Sequence, residues 1–324
     1  MLTNKKLNLV IFIIPITFLV IFLFSHKPVE SGQVLSGFIQ LAQTDASDYY
    51  RKTLINSYEP DISWHATEPY GTANQPEIAG VSGLLVELDS GKILFEKDSG
   101  ERRKIASLTK VMTAVLALEH KDPTAKVRIS EKAAEIGENS MEIDAGEIYT
   151  LEELLYGLIL HSGNDAAYAI AEASAGSSER FVEWMNTKAG ELGMKDTFFA
   201  DPSGLDDSTY STPEDLVRLT RYALKNPKFR EIVRTVEFEV IGDSHKYMFL
   251  QNQTNLLSTY PGVAGVKTGF TEEAGLCLIT YAENGGHEVV GVVLNSIDRK
   301  GDMIMMLDHG FSTLGVVVEH NLLD

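Results

Sequence analysis

One stretch of this chain, Leu108 to Leu118, is apolar at most of its positions and restricts the fold more than any other. A helix that is apolar on nearly every side belongs in the interior of a protein, so we expect a buried central helix here. Ser107 and Lys110 lie at its start, three residues apart, and one helical turn places both side chains on the same face. Because a buried lysine is costly without a task or a partner, we interpret the pair as a serine nucleophile with a lysine base.

This pair alone is a weak signal. Serine and lysine are common residues, and an S-x-x-K pattern is expected by chance about once in a chain of this length. The alternative is a serine at the start of a helix, followed by a lysine that reaches solvent. The interpretation therefore depends on further residues.

Composition narrows the class of protein. The chain has 324 residues, 44% of them hydrophobic, which is enough for a substantial core. Its formal net charge of −18 argues against a surface for nucleic acid. The single cysteine, Cys277, lies in an apolar run and is expected to be a small core residue. The eight histidines show no ligand spacing, so no metal and no cofactor are predicted.

The N-terminal residues predict where in the cell the protein is located. Lys5 and Lys6 precede an uncharged run of 18 residues, Leu7 to Phe24. As a helix this run is about 27 Å long, close to the roughly 30 Å of the hydrocarbon layer. We predict that residues 1–24 are a membrane anchor, or a signal segment cleaved near residues 29–31. Residues 25–78 are then an extracytoplasmic linker and residues 79–324 the catalytic domain, outside the cell.

The pattern of the remaining chain predicts the fold class. Val81 to Glu96 is typical of a β-hairpin, and strand-like segments return only near the C-terminus. These later segments are residues 236–241, 246–251, 265–267, 276–282 and 288–295. Helical patterns fill the region between, and Asp302 is expected to cap a final helix. We predict an α+β fold in which N- and C-terminal strands form one antiparallel sheet, with helices on both faces and an inserted helical region.

Two further motifs accompany the first. Ser162-Gly163-Asn164 follows one predicted helix and precedes the next, where side chains can project into a cleft. Lys267-Thr268-Gly269 is expected to end a strand. A K-T-G tripeptide arises by chance in fewer than about one chain in ten of this length.

Together these motifs resemble the signature of penicillin-binding proteins and serine β-lactamases. Residues 101–110, 151–166, 201–207 and 266–271 are similar in particular to the low-molecular-mass D-alanyl-D-alanine carboxypeptidases. The resemblance covers about residues 79–314 and implies a β-lactamase/transpeptidase-like fold. The E-x-x-L-N pattern of class A β-lactamases is missing, and its nearest approach, Glu183 to Asn186, is one residue short.

The resemblance assigns a role to each motif residue. It implies that Ser107, Lys110 and Ser162 are catalytic, with Ser107 as nucleophile and Ser162 as a proton relay. It also implies that the substrate is bound by Asn164, Lys267, Thr268 and Gly269, and that the backbone N–H groups of Ser107 and Phe270 form the oxyanion hole. To act as base at neutral pH, the Lys110 amine needs a pKa near 7, which costs about 4.6 kcal/mol. Burial and a second cation, Lys267, both act in that direction.

The expected reaction is removal of the terminal D-alanine from peptidoglycan stem peptides that end in D-Ala-D-Ala, with β-lactam antibiotics as inhibitors. D,D-endopeptidase, transpeptidase or β-lactamase activity are alternatives that use the same acyl-enzyme. A penicillin sensor or a muropeptide-binding domain is the alternative without turnover. His161, next to Ser162, is not expected to be its base, because adjacent residues rarely face one another.

Overall fold

The computed structural model describes residues 64–67, 69, 70 and 72–323. The predicted anchor or signal segment, residues 1–24, lies outside the described residues, as does most of the predicted linker. In the described part of the chain, no helix is both long and apolar enough to span a membrane.

Strands occur mainly at the two ends of the domain and helices mainly between them. The strands are β1 (Ser82–Glu87), β2 (Ile93–Lys97), β3 (Arg103–Lys104), β4 (Lys126–Arg128), β5 (Ile148–Thr150), β6 (Tyr210–Ser211), β7 (Glu237–Val240), β8 (Met248–Gln251), β9 (Val263–Thr271), β10 (Gly275–Asn284) and β11 (His287–Ser296). The helices are α1 (Lys110–His120), α2 (Glu131–Ala134), α3 (Leu151–Tyr156), α4 (Asn164–Ala175), α5 (Ser178–Glu191), α6 (Pro213–Ala223), α7 (Pro227–Arg234) and α8 (Arg299–Thr313). Shorter turns are the 3₁₀ turns Ala106–Thr109 and Asn255–Ser258 and the π-helical turn Gly157–His161.

The central sheet joins the two ends of the domain. Its strands lie in the order β2-β1-β11-β10-β9, and each pair of neighbours is antiparallel. β1 pairs with β11, so that Leu84 lies opposite Val292. The predicted fold class is therefore confirmed. One strand is longer than expected: β9 continues to Thr271, and Lys267-Thr268-Gly269 lies within it, not at its end.

The two faces of the sheet carry two hydrophobic cores. Successive side chains of a strand point to opposite faces, and all of β1 is buried. Leu84 belongs to the core shared with α1 and α6, whereas Leu85 packs with Met303 and Leu307 of α8 on the other face. The central helix α1 is surrounded by α4, α5, α6 and α7, as its apolar composition predicts.

The prediction that Asp302 caps the last helix is wrong. Asp298 caps α8, with its side chain accepting a hydrogen bond from the Gly301 nitrogen. Asp302 lies one turn further on and is buried, where its carboxylate accepts hydrogen bonds from the backbone nitrogens of Ala79 and Gly80, at 2.7 and 2.8 Å. The sequence offers two aspartates one helical turn apart, and only tertiary contacts distinguish them.

Some residues before the predicted boundary at Ala79 contact the central sheet. Pro69, Tyr70 and Gln75 contact β2, the edge strand farthest from β9. The Tyr70 nitrogen donates to the Ile93 carbonyl at 2.7 Å, and the Gln75 side chain bonds both the carbonyl and the nitrogen of Glu96. This segment satisfies backbone groups that an open sheet edge would leave unpaired.

Candidate active site

The nucleophile candidate lies on the 3₁₀ turn that leads into α1. Ser107 is part-exposed in this turn, and Lys110, which begins the helix, is fully buried. The Lys110 Nζ and Ser107 Oγ atoms are 2.9 Å apart. The spacing of three residues thus produces the expected contact.

Two further oxygen atoms contact the Lys110 amine. Nζ lies 2.7 Å from Asn164 Oδ1 and 2.8 Å from the Ser203 carbonyl oxygen. A carbonyl oxygen only accepts hydrogen bonds. A neutral amine has two N–H groups, and these two acceptors use both. The nitrogen lone pair is then free to face the Ser107 hydroxyl, which is the arrangement that a general base needs.

The electrostatics around Lys110 favour that neutral form. Burial lowers the pKa of the Lys110 amine to about 7, although the carboxylates of Asp201, Asp165 and Glu138 oppose this shift. Burial also lowers the pKa of Lys267 well below its ordinary value, and charge repulsion from Lys110 and Arg299 adds to this shift.

The Ser162-Gly163-Asn164 motif joins the π-helical turn to α4. Ser162 has a left-handed backbone, with φ of 65°, and its side chain is buried. A Cβ added to Gly163 would lie 2.9 Å from the Met141 side chain, so this position needs glycine. Asn164 reaches Lys110, whereas the structure shows no hydrogen bond from the Ser162 hydroxyl to Ser107 or Lys110 among the described residues.

The loop between α2 and β5 holds Asn164. Its side-chain Nδ2 donates to the Gly137 carbonyl at 3.1 Å, and its backbone nitrogen donates to Asn139 at 2.7 Å. The next residue, Asp165, is buried and accepts hydrogen bonds from the Ser140 hydroxyl and the Met141 nitrogen. Residues 137–143 therefore fix the amide that orients Lys110.

The K-T-G strand packs directly against the nucleophile turn. A Cβ added to Gly269 would lie 2.9 Å from the Ile105 carbonyl oxygen and 3.3 Å from the Ser107 nitrogen. Glycine is thus needed for contact between β9 and the turn, in addition to the expected room for a substrate. The contact brings β9 beside the Ser107 N–H group.

Arg299 is a site cation that sequence reasoning missed. Its guanidinium donates to the Gly269 carbonyl at 2.8 Å, and the same residue lines a small pocket with Thr268. Burial lowers the pKa of Arg299. The only signal in the sequence is its place at the start of α8 after the last strand, and no spacing rule connects that place to the K-T-G motif.

Two alternatives are not supported by the geometry. Glu183, the nearest approach to a deacylating glutamate, is exposed on α5, and the Asn186 amide bonds the Val182 and Phe199 carbonyls. His161 is part-buried, and its backbone carbonyl accepts from Gln253. Among the described residues, no group of three or more His, Cys, Asp or Glu side chains could hold a metal ion.

The loop that supplies the Ser203 carbonyl is closely fitted to the nucleophile turn. Gly204 has φ of +77°, and a Cβ there would lie 1.9 Å from the Ala106 carbonyl oxygen. We expect Gly204→Ala to lower the free energy of unfolding by about 3–5 kcal/mol, because it adds this overlap to the strain of a left-handed backbone. Urea unfolding measures the loss.

Gly176→Ala is the matched control for this prediction. Gly176 also has a left-handed backbone, with φ of +88°, but its added Cβ would meet nothing within 4 Å. Gly176→Ala should therefore lower the free energy of unfolding by only about 1–2 kcal/mol, the cost of the backbone strain alone. Equal losses for the two variants would show that the Gly204 contact does not matter.

The fold and this site define a serine acyl-transfer enzyme: a hydroxyl, a buried amine of lowered pKa and an amide meet beside a strand that carries a second buried amine. Comparison with known proteins agrees. The family model described as D-alanyl-D-alanine carboxypeptidase, peptidase family S11, matches residues 70–298. The chain therefore belongs to this family of serine hydrolases.

Individual relatives give the extent of the similarity. The D-alanyl-D-alanine carboxypeptidase DacF of Bacillus subtilis (strain 168) is 40% identical over 240 residues, which cover 71% of this chain and 62% of that protein. A D-alanyl-D-alanine carboxypeptidase of Streptomyces sp. (strain K15) is 34% identical over 265 residues, covering 75% of this chain and 91% of the relative. The crystal structure of the Streptomyces K15 DD-transpeptidase has a TM-score of 0.70 and 34% identity, and covers 74% of this chain and 99% of the other.

Proposed function

We propose that this protein is a D-Ala-D-Ala carboxypeptidase that removes the terminal D-alanine of peptidoglycan stem peptides through an acyl-enzyme on Ser107. The observation that carries the proposal is the environment of Lys110. Its buried amine lies 2.9 Å from the Ser107 hydroxyl, and two oxygens that only accept hydrogen bonds engage its N–H groups. Few arrangements other than a base for Ser107 explain a lysine held in this way.

In the acylation step, the Ser107 oxygen attacks the carbonyl carbon of the peptide bond between the two D-alanines. Lys110 accepts the hydroxyl proton, and the backbone N–H groups of Ser107 and Phe270 stabilise the oxyanion. Ser162 relays a proton to the leaving amine. The terminal D-alanine departs with that proton, and the acyl group remains on Ser107.

Substrate recognition falls to the other motif residues. Asn164 holds the peptide backbone, and Gly269 leaves room for it beside β9. Lys267 and Thr268 receive the terminal carboxylate, with Arg299 as a further cation. The lowered pKa of Lys267 supports this role, because an arriving carboxylate compensates the buried ammonium ion.

Deacylation decides between the related activities. Attack by water releases the shortened peptide, whereas attack by the amine of another stem peptide joins the two. Relatives carry both names, carboxypeptidase and DD-transpeptidase. We propose hydrolysis as the main reaction, β-lactam antibiotics as acylating inhibitors, and a location outside the cytoplasm, with residues 1–24 as the membrane anchor.

The test is release of D-alanine from diacetyl-Lys-D-Ala-D-Ala by the domain, assayed beside Ser107→Ala. An added amine acceptor in a second reaction distinguishes hydrolysis from transfer. We expect free D-alanine from the wild type and none from the variant. No release from folded wild type, or equal release from both proteins, would contradict the proposal.

The same assay has a predictable dependence on pH. Lys110 must be neutral to accept the proton, and its pKa is about 7. With saturating substrate, whose carboxylate keeps Lys267 charged, activity should therefore be low at pH 5, rise with a midpoint near pH 7, and reach a plateau above it. A pH–rate profile measures the midpoint, and a rate that is constant from pH 5 to 9 would exclude Lys110 as the base.

A further inference from the structure

One acidic side chain organises the loop that contacts Lys110. Asp201 is buried, and its Oδ1 atom accepts hydrogen bonds from the Ser203 and Gly204 nitrogens and from the Ser203 hydroxyl. Its Oδ2 atom accepts from the Asp206 nitrogen at 2.5 Å. All four donors belong to residues 203–206, so the carboxylate closes this loop upon itself.

The closed loop presents two carbonyl groups to α1. The Pro202 carbonyl accepts from the Thr113 hydroxyl at 2.6 Å, and the Ser203 carbonyl accepts from Lys110 Nζ at 2.8 Å. Thr113 and Lys110 lie one helical turn apart, so the loop contacts the helix along one face. The peptide group between Ser203 and Gly204 is therefore held at both ends: its nitrogen donates to the Asp201 carboxylate, and its carbonyl oxygen accepts from Lys110.

We propose that Asp201 is a positioning residue for the reaction: its carboxylate fixes the Ser203 carbonyl, which holds one N–H group of Lys110 and so directs the amine lone pair at Ser107. Asp201 does not touch the reacting atoms. The inference rests on the proposed function, because it concerns the same base.

The charge of Asp201 provides a second, independent readout. The carboxylates that act on Lys110 are Asp201, Asp165 on α4 and Glu138 in the loop between α2 and β5, and on the side of β9 the charge of Lys110 acts on Lys267. Asp201 is the first of the carboxylates that raise the pKa of Lys110 against burial. Removal of its charge should lower that pKa, and the acid limb of the activity profile should move to lower pH.

The test is the pH–rate profile of D-alanine release for the wild type, Asp201→Asn and Asp201→Glu. For Asp201→Asn we expect a plateau about tenfold or more below wild type and a midpoint lower by about half a pH unit or more. Asp201→Glu keeps the charge but displaces the carboxylate, so its plateau should fall while its midpoint stays near that of the wild type.

Asp302→Asn is the matched control. Asp302 is also buried and accepts hydrogen bonds from two backbone N–H groups and a hydroxyl, one N–H fewer than Asp201. Its donors are Ala79, Gly80 and Ser296, away from Lys110. This variant should lose stability with no shift of the midpoint.

The outcomes separate the two proposals. A wild type that releases no D-alanine rejects the proposed function. An active wild type together with an Asp201→Asn variant of unchanged plateau and midpoint overturns the role of Asp201 alone. If thermal melting shows that Asp201→Asn does not fold, a wild-type plateau in Asp201→Glu overturns that role.

Discussion

Replacement of Lys110 by methionine should reduce the rate of acylation of Ser107 by roughly 10³- to 10⁴-fold, the contribution of a general base. Methionine has an unbranched side chain that suits the buried space, but it offers no group that accepts the Ser107 proton. Acylation by a labelled penicillin, followed over time, measures the rate without the complication of deacylation.

The stability of this variant should change little. The loss of a desolvated amine favours the fold, whereas the Asn164 amide oxygen and the Ser203 carbonyl lose their donor. We expect these effects to offset one another to within about 2 kcal/mol, measured by thermal or urea unfolding. An inactive Lys110→Met protein that is folded then shows that chemistry, not architecture, was lost.

Lys110→Arg distinguishes the role of Lys110 as a proton acceptor from the effect of its positive charge. Arginine keeps a cation in the site and does not lose its proton at any relevant pH. It should therefore be as inactive as Lys110→Met. Substantial acylation of Ser107 in the arginine variant would show that a positive charge suffices, and that Lys110 is not the base.

Replacement of Lys267 by methionine should lower kcat/KM for a D-Ala-D-Ala peptide by about 100-fold, the effect of one charge-assisted hydrogen bond to a carboxylate. Lys267 is buried beside Thr268 and Arg299, away from bulk solvent, so water cannot replace its interaction with the substrate. Assays with the free acid at several substrate concentrations give the value.

The same peptide with an amidated C-terminus tests the reason for this loss. It has no carboxylate for Lys267, so wild type and Lys267→Met should cleave it at similar, low rates. Lys126→Met, which removes an exposed lysine on β4, controls for the change in net charge. An equal loss on both peptides would mean that Lys267 acts on the reaction itself and not on the carboxylate.

The sequence was sufficient to predict structural features that arise between residues close together in one helix or strand. The spacing of Ser107 and Lys110 predicted their contact, because one helical turn fixes it. The T-x-x-E pattern of Thr150 and Glu153 likewise forms a capping box at the start of α3. The composition of β1, β10 and β11 was enough to predict a sheet shared by the two ends of the domain.

Features that depend on distant parts of the chain were not predictable. Asp298 and Asp302 are both residues that can cap the start of a helix. Only the contact with Ala79 in the folded protein shows that Asp302 is the buried one and Asp298 the cap. Arg299, at the start of α8, contacts β9 only in the folded protein, and the loop that Asp201 organises likewise contacts α1 only there. Local patterns cannot reveal such contacts, because the partners lie far apart in the chain, 223 residues in the case of Ala79 and Asp302.

The central claim is that Ser107 forms the acyl-enzyme, and mass spectrometry of the penicillin-treated protein tests it most directly. Peptide mapping should find one adduct, on the peptide that contains Ser107, and none in Ser107→Ala. An adduct on a different residue, or a folded wild-type protein that remains unmodified, would contradict the account.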